Sequence, residues 1–182
     1  MIFSFYPTKP VGSIDGGMVV SNDIEKINRI KTLSRYGTNF EDNSWERKFV
    51  LPGWKMYMNS VQAHIALQNF HKLEGKTNRY DEIREIYNSE FGLNNTSRHL
   101  YRIRVKDRES FIASMKDKGI QCGIHYKSVH NIECYKSKTN ISLPLSERES
   151  EVTVSIPFHE KLEDKEIEII MKETKNAQAF WR

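Results

Sequence analysis

The sequence predicts an α/β arrangement for residues 1–91, formed by the end of a larger parallel or mixed sheet and its helices. A small α+β sandwich is predicted to follow over residues 92–182. The first part contains two helical patterns but too few predicted strands for these helices to pack on. The rest of the sheet is therefore expected to come from residues outside this part. The polar segment GLNNTS at 92–97 marks the boundary. In the second part, strands and helices alternate over a short length, as in a sheet covered by helices on one face.

Composition and charge favour a globular protein with a mixed surface. Apolar residues make up 38% of the chain and charged residues 29%, and the mean hydropathy is -0.65, which argues against a disordered or membrane-spanning chain. The 28 basic and 24 acidic residues are interspersed, so we expect no nucleic-acid partner. The start, MIFSFYPTKP, lacks a basic leader followed by an apolar core, and we expect a cytoplasmic location. Two cysteines are too few for a zinc motif or a disulfide framework, so no metal site is expected.

The first part is predicted to contain two short strands and two helical segments. Asn22 or Asp23 is a helix N-cap, and Gly37 ends the helix that follows. Gly75 is predicted to kink or split the second, longer helical segment. The predicted elements are a strand ending over Phe3–Phe5, a strand over Met18–Ser21, a helix over 24–34 and a helical pattern from Met58 to about residue 90.

The second part is predicted to contain three strands, each followed by a helix or a loop. Asp107 caps the first helix and Gly119 ends it. The first strand places Arg102, Arg104 and Lys106 on one face, which is either a solvated sheet face or an anion-binding surface. The predicted strands are His99–Val105, Ile120–Tyr126 and Val152–Ile156, and the last helix bears Leu162, Ile167, Ile170 and Met171.

One segment has a pattern of residues typical of a chemical site, FSFYPTKPVGSIDGGMVVSN at residues 3–22. Lys9 lies in a loop bounded by proline and glycine, after Ser4 and before the acidic turn that begins at Asp15. A lysine that is held rigidly, partly desolvated and close to a phosphate-binding group can form a Schiff base. From the residue types alone, a catalytic lysine and an exposed loop lysine both remain open.

Five segments in the same order resemble the DegT/StrS-type sugar aminotransferases, which are pyridoxal-phosphate enzymes of fold type I, similar to aspartate aminotransferase. The resemblance covers almost the whole chain and implies the C-terminal part of the large cofactor-binding domain, followed by the small domain. The segments are Phe3–Phe5 with Lys9 and the turn Asp15–Gly17, Leu33–Gly37, GWKMYMNSVQA at Gly53–Ala63, GIQCGIHY at Gly119–Tyr126, and Leu143–Pro144 with Ser155–Pro157.

The resemblance implies a role for six residues. Lys9 is implied to hold pyridoxal 5'-phosphate covalently and to move protons between cofactor and substrate, while Ser4 donates its hydroxyl to the cofactor phosphate. Lys55 and Tyr57 are implied to reach across a homodimer interface toward the partner's cofactor phosphate. Many members have asparagine and arginine at these two positions, so this chain departs from the family pattern there. His125–Tyr126 resembles a motif near the nucleotide-sugar site.

The activity implied is transfer of an amino group from an amino acid, glutamate, to a keto group at C4 of a nucleotide-linked deoxysugar. Lys9 favours amino transfer, because members that run dehydrations have histidine in its place. In relatives the region before the lysine provides most of the cofactor site, and here only eight residues precede Lys9. We therefore expect a fragment or a half that works with a separate N-terminal half. The alternative is a catalytically inactive remnant that acts as a dimerisation or binding module.

Overall fold

The computed structural model describes residues 1–38, 47–136 and 141–177. Contacts divide the chain into two compact units, Met1–Glu74 and Gly75–Arg182. Among the helices of the described ranges, none has the length and apolar character needed to span a bilayer. The elements are β1 (Ile2–Ser4), β2 (Gly17–Val19), α1 (Ile24–Ser34), α2 (Ser60–His71), α3 (Leu73–Phe91), β3 (Tyr101–Arg104), α4 (Arg108–Asp117), a 3-10 turn (Val129–Asn131), α5 (Glu133–Lys136), α6 (Pro144–Val152), β4 (Thr153–Ile156) and α7 (Asp164–Asn176).

The first unit contains a two-stranded antiparallel sheet and capped helices. In this sheet Ser4 of β1 lies opposite Gly17 of β2. The side chain of Asp23 caps α1 by accepting a hydrogen bond of 3.0 Å from the Lys26 amide, as the sequence predicts. The start of α1 is therefore fixed by a residue next to it in the sequence.

The first unit leaves most of its apolar side chains exposed. Helix α1 buries none of its residues and α2 buries only Ala66. Ile24 is 65% exposed, Val61 62% and Phe70 58%. Exposed apolar surface of this extent is typical of a face that another polypeptide covers.

The second unit has a filled core on one face of its own antiparallel sheet. Tyr101 lies opposite Ile156, and Ile103 lies opposite Val154. These four side chains are buried together with apolar residues of α3, α4 and α7. The opposite face is polar, and its Arg104 forms an ion pair of 2.8 Å with Glu149, which favours the solvated-face interpretation of this strand. The core residues are Tyr80, Ile83, Tyr87, Tyr101, Ile103, Val105, Phe111, Met115, Ile120, Val154, Ile156, Phe158, Leu162, Ile167 and Ile170.

Two predicted elements differ from the structure. The long helical segment breaks at Lys72, whose amide donates to Asn69, and not at Gly75, which lies inside the first turn of α3. No atom would contact a Cβ at Gly75, and its position in the helix requires no break. The strand predicted over 120–126 shortens to a bridge between Gly123 and Ser155, and the His125 ring is hydrogen-bonded to the Ser155 side chain. The domain boundary after residue 91 stays a prediction.

Candidate active site

Lys9 lies in a loop that is closed by backbone hydrogen bonds directly after β1. The Lys9 amide donates to the Tyr6 carbonyl at 2.9 Å, which forms a tight turn. The Ser13 amide donates to the Phe5 carbonyl at 2.8 Å, so the two ends of the loop are held together. The lysine side chain is half-buried. These backbone hydrogen bonds therefore hold the loop that carries Lys9.

Helix α2 anchors the far end of this loop at two buried residues. The Asn69 side-chain amide donates to the Gly12 carbonyl at 2.7 Å, and the Ser13 hydroxyl donates to the Gln62 carbonyl at 2.7 Å. A Cβ on Gly12 would lie 2.4 Å from the Pro7 carbonyl oxygen, so only glycine fits there. The sequence did not indicate this anchoring, because Asn69 lies 57 positions from Gly12.

Ser4 is the last residue of β1 and is exposed. Its hydroxyl oxygen accepts a hydrogen bond of 3.3 Å from the Tyr6 amide. A hydroxyl that accepts in this way can still donate its own hydrogen to an anion. The geometry is therefore compatible with the phosphate-binding role that the resemblance implies.

The segment that carries Lys55 and Tyr57 is paired with the C-terminal end of α1. The Trp54 amide donates to Leu33 at 2.7 Å and the Met56 amide donates to Ser34 at 2.9 Å. These bonds satisfy carbonyls that the end of a helix otherwise leaves without a partner. Lys55 and Tyr57 are consequently positioned by α1.

The ring of Tyr57 is the centre of a small cluster. The Arg35 guanidinium carbon lies 5.5 Å from the ring centroid and the Lys55 amine 6.0 Å from it, both within cation–π range. The Tyr36 ring meets it edge-on, with centroids 6.3 Å apart. A hydrogen bond with Tyr57 is the main cause that raises the pKa of Tyr36, while the charges of Lys55 and Arg47 act in the opposite direction.

Sequence reasoning missed Arg35 and Tyr36 as members of this cluster. Both lie within the segment Leu33–Gly37, which was recognised only as a helix ending. Lys55 and Tyr57 also line a groove of about 700 Å³ with the acidic turn Asp15–Gly17. The structure therefore brings Lys55 and Tyr57, two of the predicted site residues, together with the turn Asp15–Gly17 of the lysine motif.

His125 and Tyr126 lie in the second unit. The Nδ1 atom of His125 is 2.9 Å from the hydroxyl oxygen of Ser155, which is buried on β4. A Cβ on Gly123 would lie 2.5 Å from the imidazole, so the ring packs directly on this glycine. His125 lines two cavities, of about 680 and about 430 Å³, whereas Tyr126 is 71% exposed and lines only the second. Of the predicted site residues, Ser4, Lys9, Lys55 and Tyr57 thus lie in the first unit, and His125 and Tyr126 lie in the second.

The described residues include no group of three or more His, Cys, Asp or Glu side chains that could hold a metal ion. Both cysteines are free thiols, and Cys134 is exposed. Burial raises the pKa of the Cys122 thiol to about 11, so it stays protonated at neutral pH.

Comparison with known proteins identifies the family of the chain. Residues 1–175 match the DegT/DnrJ/EryC1/StrS aminotransferase family. The chain belongs to this family. The UDP-4-amino-4,6-dideoxy-N-acetyl-beta-L-altrosamine transaminase of Campylobacter jejuni is 28% identical to this DegT-family chain over 187 residues, covering 93% of the chain and 50% of that protein.

Solved structures of DegT-family aminotransferases share the fold. A DegT DnrJ EryC1 StrS aminotransferase from Brucella abortus matches with a TM-score of 0.86 and 25% identity over 96% of this chain. The PLP-form of a sugar aminotransferase from Streptococcus pneumoniae matches with a TM-score of 0.84 and 25% identity over 97% of the chain. Each match covers 50% of the solved chain. The predicted family and the mixed α/β fold class are confirmed, and the chain spans about half the length of these relatives.

Proposed function

We propose that this chain supplies the C-terminal half of a pyridoxal-phosphate-dependent sugar aminotransferase. The reaction is transfer of an amino group from glutamate to a keto group at C4 of a nucleotide-linked deoxysugar. The observation that carries the proposal is the loop of Lys9, which two hydrogen bonds from α2 anchor at buried residues. The Campylobacter relative is named for a UDP-linked 4-amino sugar, which supports both the substrate class and the position.

The side chains of the first unit fit the groups that pyridoxal phosphate presents. When bound, this cofactor supplies an aldehyde and an electron-withdrawing ring, which amino transfer requires. The Lys9 amine would hold the cofactor covalently, with the aldehyde oxygen leaving as water, and would then accept and return the proton at the reacting carbon. The Ser4 hydroxyl would donate to the cofactor phosphate, and Lys55 and Tyr57 would bind the phosphate of the cofactor held by the partner subunit of a homodimer.

The second unit contributes the substrate-binding group of residues. His125 is held by Ser155, so its remaining ring nitrogen has a fixed direction from which to bind a polar substrate atom. Tyr126 is exposed and its ring lies edge-on to His125, with centroids 5.1 Å apart. We assign His125 and Tyr126 to the nucleotide sugar.

An N-terminal half, either in the same longer polypeptide or in a separate chain, completes the enzyme in this proposal. The chain spans about half the length of its relatives. The resemblance implies that the other half supplies the residue that pairs with the pyridine nitrogen of the cofactor. Ile24 and Val61 are exposed apolar side chains of α1 and α2, and we expect such a half to cover them. Isolated from that half, the chain is expected to transaminate poorly.

The experiment traps the cofactor on the chain. The full chain is incubated with pyridoxal phosphate, alone and with a co-expressed matching N-terminal half, then reduced with borohydride and analysed by peptide mass. We expect an adduct on Lys9 in the assembled protein that is lost in Lys9→Ala and kept in the control Lys172→Ala, an exposed position of α7. Absence of a Lys9 adduct beside a matching half contradicts the proposal.

A second candidate function is a binding or dimerisation module without catalysis. The filled core of the second unit favours it, because a unit with its own core can persist without the catalytic half. Size-exclusion chromatography separates the two candidates. A stable, cofactor-free dimer supports the module, whereas a chain that aggregates until the N-terminal half is added supports the severed enzyme.

A further inference from the structure

We propose that Arg35 is a further anion-binding residue, which acts with Lys55 on a phosphate ester beside the C-terminal end of α1. The inference rests on the proposed function in one respect, the assignment of Lys55 and Tyr57 to a phosphate. It adds a residue that the motif comparison did not assign, and it follows from the contacts around the ring of Tyr57.

The first argument is the position of two like charges. Arg35 and Lys55 lie opposite each other in an antiparallel bridge, since the Tyr36 amide donates to Trp54 and the Met56 amide donates to Ser34. Like charges directly opposite each other destabilise a strand pair. An anion bound between them would be attracted by both charges.

The second argument is the aromatic ring of Tyr57, which lies close to both charges. The Tyr57 ring lies 5.5 Å from the Arg35 guanidinium carbon and 6.0 Å from the Lys55 amine. Tyr57 is 43% exposed, so a ligand in solution has access to the group. A guanidinium can bind two phosphate oxygens at once and an ammonium supplies a point charge, so the pair suits a doubly charged phosphate ester.

The third argument is the backbone that holds this geometry. Tyr36 has a φ of 62°, a left-handed conformation that is unfavourable for an aromatic residue and is typically retained where function requires it. Its ring meets the Tyr57 ring edge-on, with centroids 6.3 Å apart. The strained residue is therefore in contact with the ring that lies beside both cations.

The helix dipole offers a different explanation for Arg35. A cation near a helix C-terminus is stabilised by about 0.3–1 kcal/mol, and Arg35 is the C-cap of α1. That effect explains one cation, but it does not explain a second cation and an aromatic platform facing it. The two explanations predict different results when Arg35 is replaced. If Arg35 interacts only with the helix dipole, the free energy of unfolding alone changes. If Arg35 binds an anion, the affinity for phosphate changes.

The phosphate has two sources in the proposed reaction, the cofactor and the nucleotide sugar. The test uses 15N-labelled full chain at constant ionic strength and follows the Arg35 side-chain Nε–H and the Lys55 amide by NMR. Inorganic phosphate is the first probe, with chloride as the balancing anion. The second and third probes are 4-deoxypyridoxine 5'-phosphate, which has no aldehyde to react with lysine, and uridine diphosphate, with 4-deoxypyridoxine and uridine as phosphate-free controls.

We expect saturable shifts with phosphate, and a dissociation constant about fivefold higher in Arg35→Gln, the scale of an exposed ion pair. The matched control Arg29→Gln, an exposed arginine of α1, is expected to bind as the parent does. Tighter binding of the deoxypyridoxine phosphate identifies the cofactor as the source, and tighter binding of uridine diphosphate identifies the nucleotide. Shifts that do not saturate, or equal weakening in both variants, overturn the inference. If either of these results is obtained and pyridoxal phosphate still forms an adduct with Lys9, the proposed function stands without the inference on Arg35.

Discussion

Gly37 and Gly53 pass so close to each other that a Cβ on Gly53 would lie 2.2 Å from the Gly37 amide nitrogen. Gly37 also has a φ of 76°, which glycine adopts at little cost. A Cβ on Gly53 would further lie 2.7 Å from the Leu33 carbonyl oxygen, at the end of α1. This crossing allows the following residues to pair with α1, and it thereby sets the positions of Lys55 and Tyr57.

Replacing Gly53 by alanine is expected to open this crossing. The added methyl group meets backbone atoms that cannot rotate away, and such overpacking costs about 1–3 kcal/mol. Amide hydrogen exchange measures the effect locally, since the Trp54 and Met56 amides donate across the pair and should exchange faster in Gly53→Ala. Gly75→Ala is the control, because a Cβ there meets nothing within 4 Å and alanine favours the helix. Unchanged protection of Trp54 and Met56 in Gly53→Ala would contradict the assigned role of the crossing.

Asn69 is expected to hold the loop of Lys9 in place. Its replacement by alanine removes the hydrogen bond to the Gly12 carbonyl, worth about 1 kcal/mol for a typical protein hydrogen bond. The Ser13 amide should then exchange about fivefold faster, while the core of the second unit keeps its protection. Gln68→Ala changes the exposed neighbouring position of α2 and should leave Ser13 unchanged. Equal exchange in the two variants would show that α2 does not anchor the loop.

Ser155 is expected to fix the tautomer and the direction of His125. Loss of its hydroxyl in Ser155→Ala removes the hydrogen bond between Ser155 and the His125 ring, and we expect the free energy of unfolding to fall by about 1 kcal/mol. Urea unfolding measures this change, and the 15N shifts of the imidazole should move toward those of a mixture of tautomers. Ser114→Ala, at an exposed position of α4, is the control. A His125 spectrum that is the same in Ser155→Ala and in the parent would contradict the assignment.

Asp81 is expected to contribute to the acid sensitivity of the second unit. Hydrogen bonds from Arg98 are the main cause that lowers its pKa, and Arg84 acts in the same direction. A carboxylate whose pKa is lower in the folded chain stabilises the fold above its unfolded pKa of about 3.9, and this stabilisation is lost as the pH falls further. The unfolding free energy should therefore decrease less steeply below about pH 4 in Asp81→Asn than in the parent. Glu168→Gln, at an exposed position of α7, is the control. If the unfolding free energy of Asp81→Asn depends on pH as it does in the parent and in this control, the ion pairs of Asp81 do not act in solution.

The predictions from sequence succeeded where the signal is local. Asp23 and Asp107 cap their helices through amides three residues along the chain, and Gly119 has the positive φ of a helix ending. Such bonds depend only on neighbouring residues, so the residue types suffice to indicate them. The alternation of Tyr101–Val105 between buried and exposed positions was predictable for the same reason.

The predictions were wrong where distant segments compete with a local preference. Gly75 is a weak helix residue, yet α3 continues through it and the break falls at Lys72. The residues 120–126 have the composition of a strand, but only Gly123 pairs, with Ser155. The propensities of single residues do not decide these outcomes, because the differences in propensity between residues are small.

The sequence by itself determined the family, the fold class, the helix caps and the candidate lysine, because each depends on motifs or on neighbouring residues. Only the tertiary structure decided that Arg35 and Tyr36 join Lys55 and Tyr57 in one cluster. The physical reason is the antiparallel pairing of the end of α1 with the segment after Gly53, which brings together residues about twenty positions apart. The close approach of two glycine backbones makes that pairing possible, and no local pattern of residues shows which segments will meet.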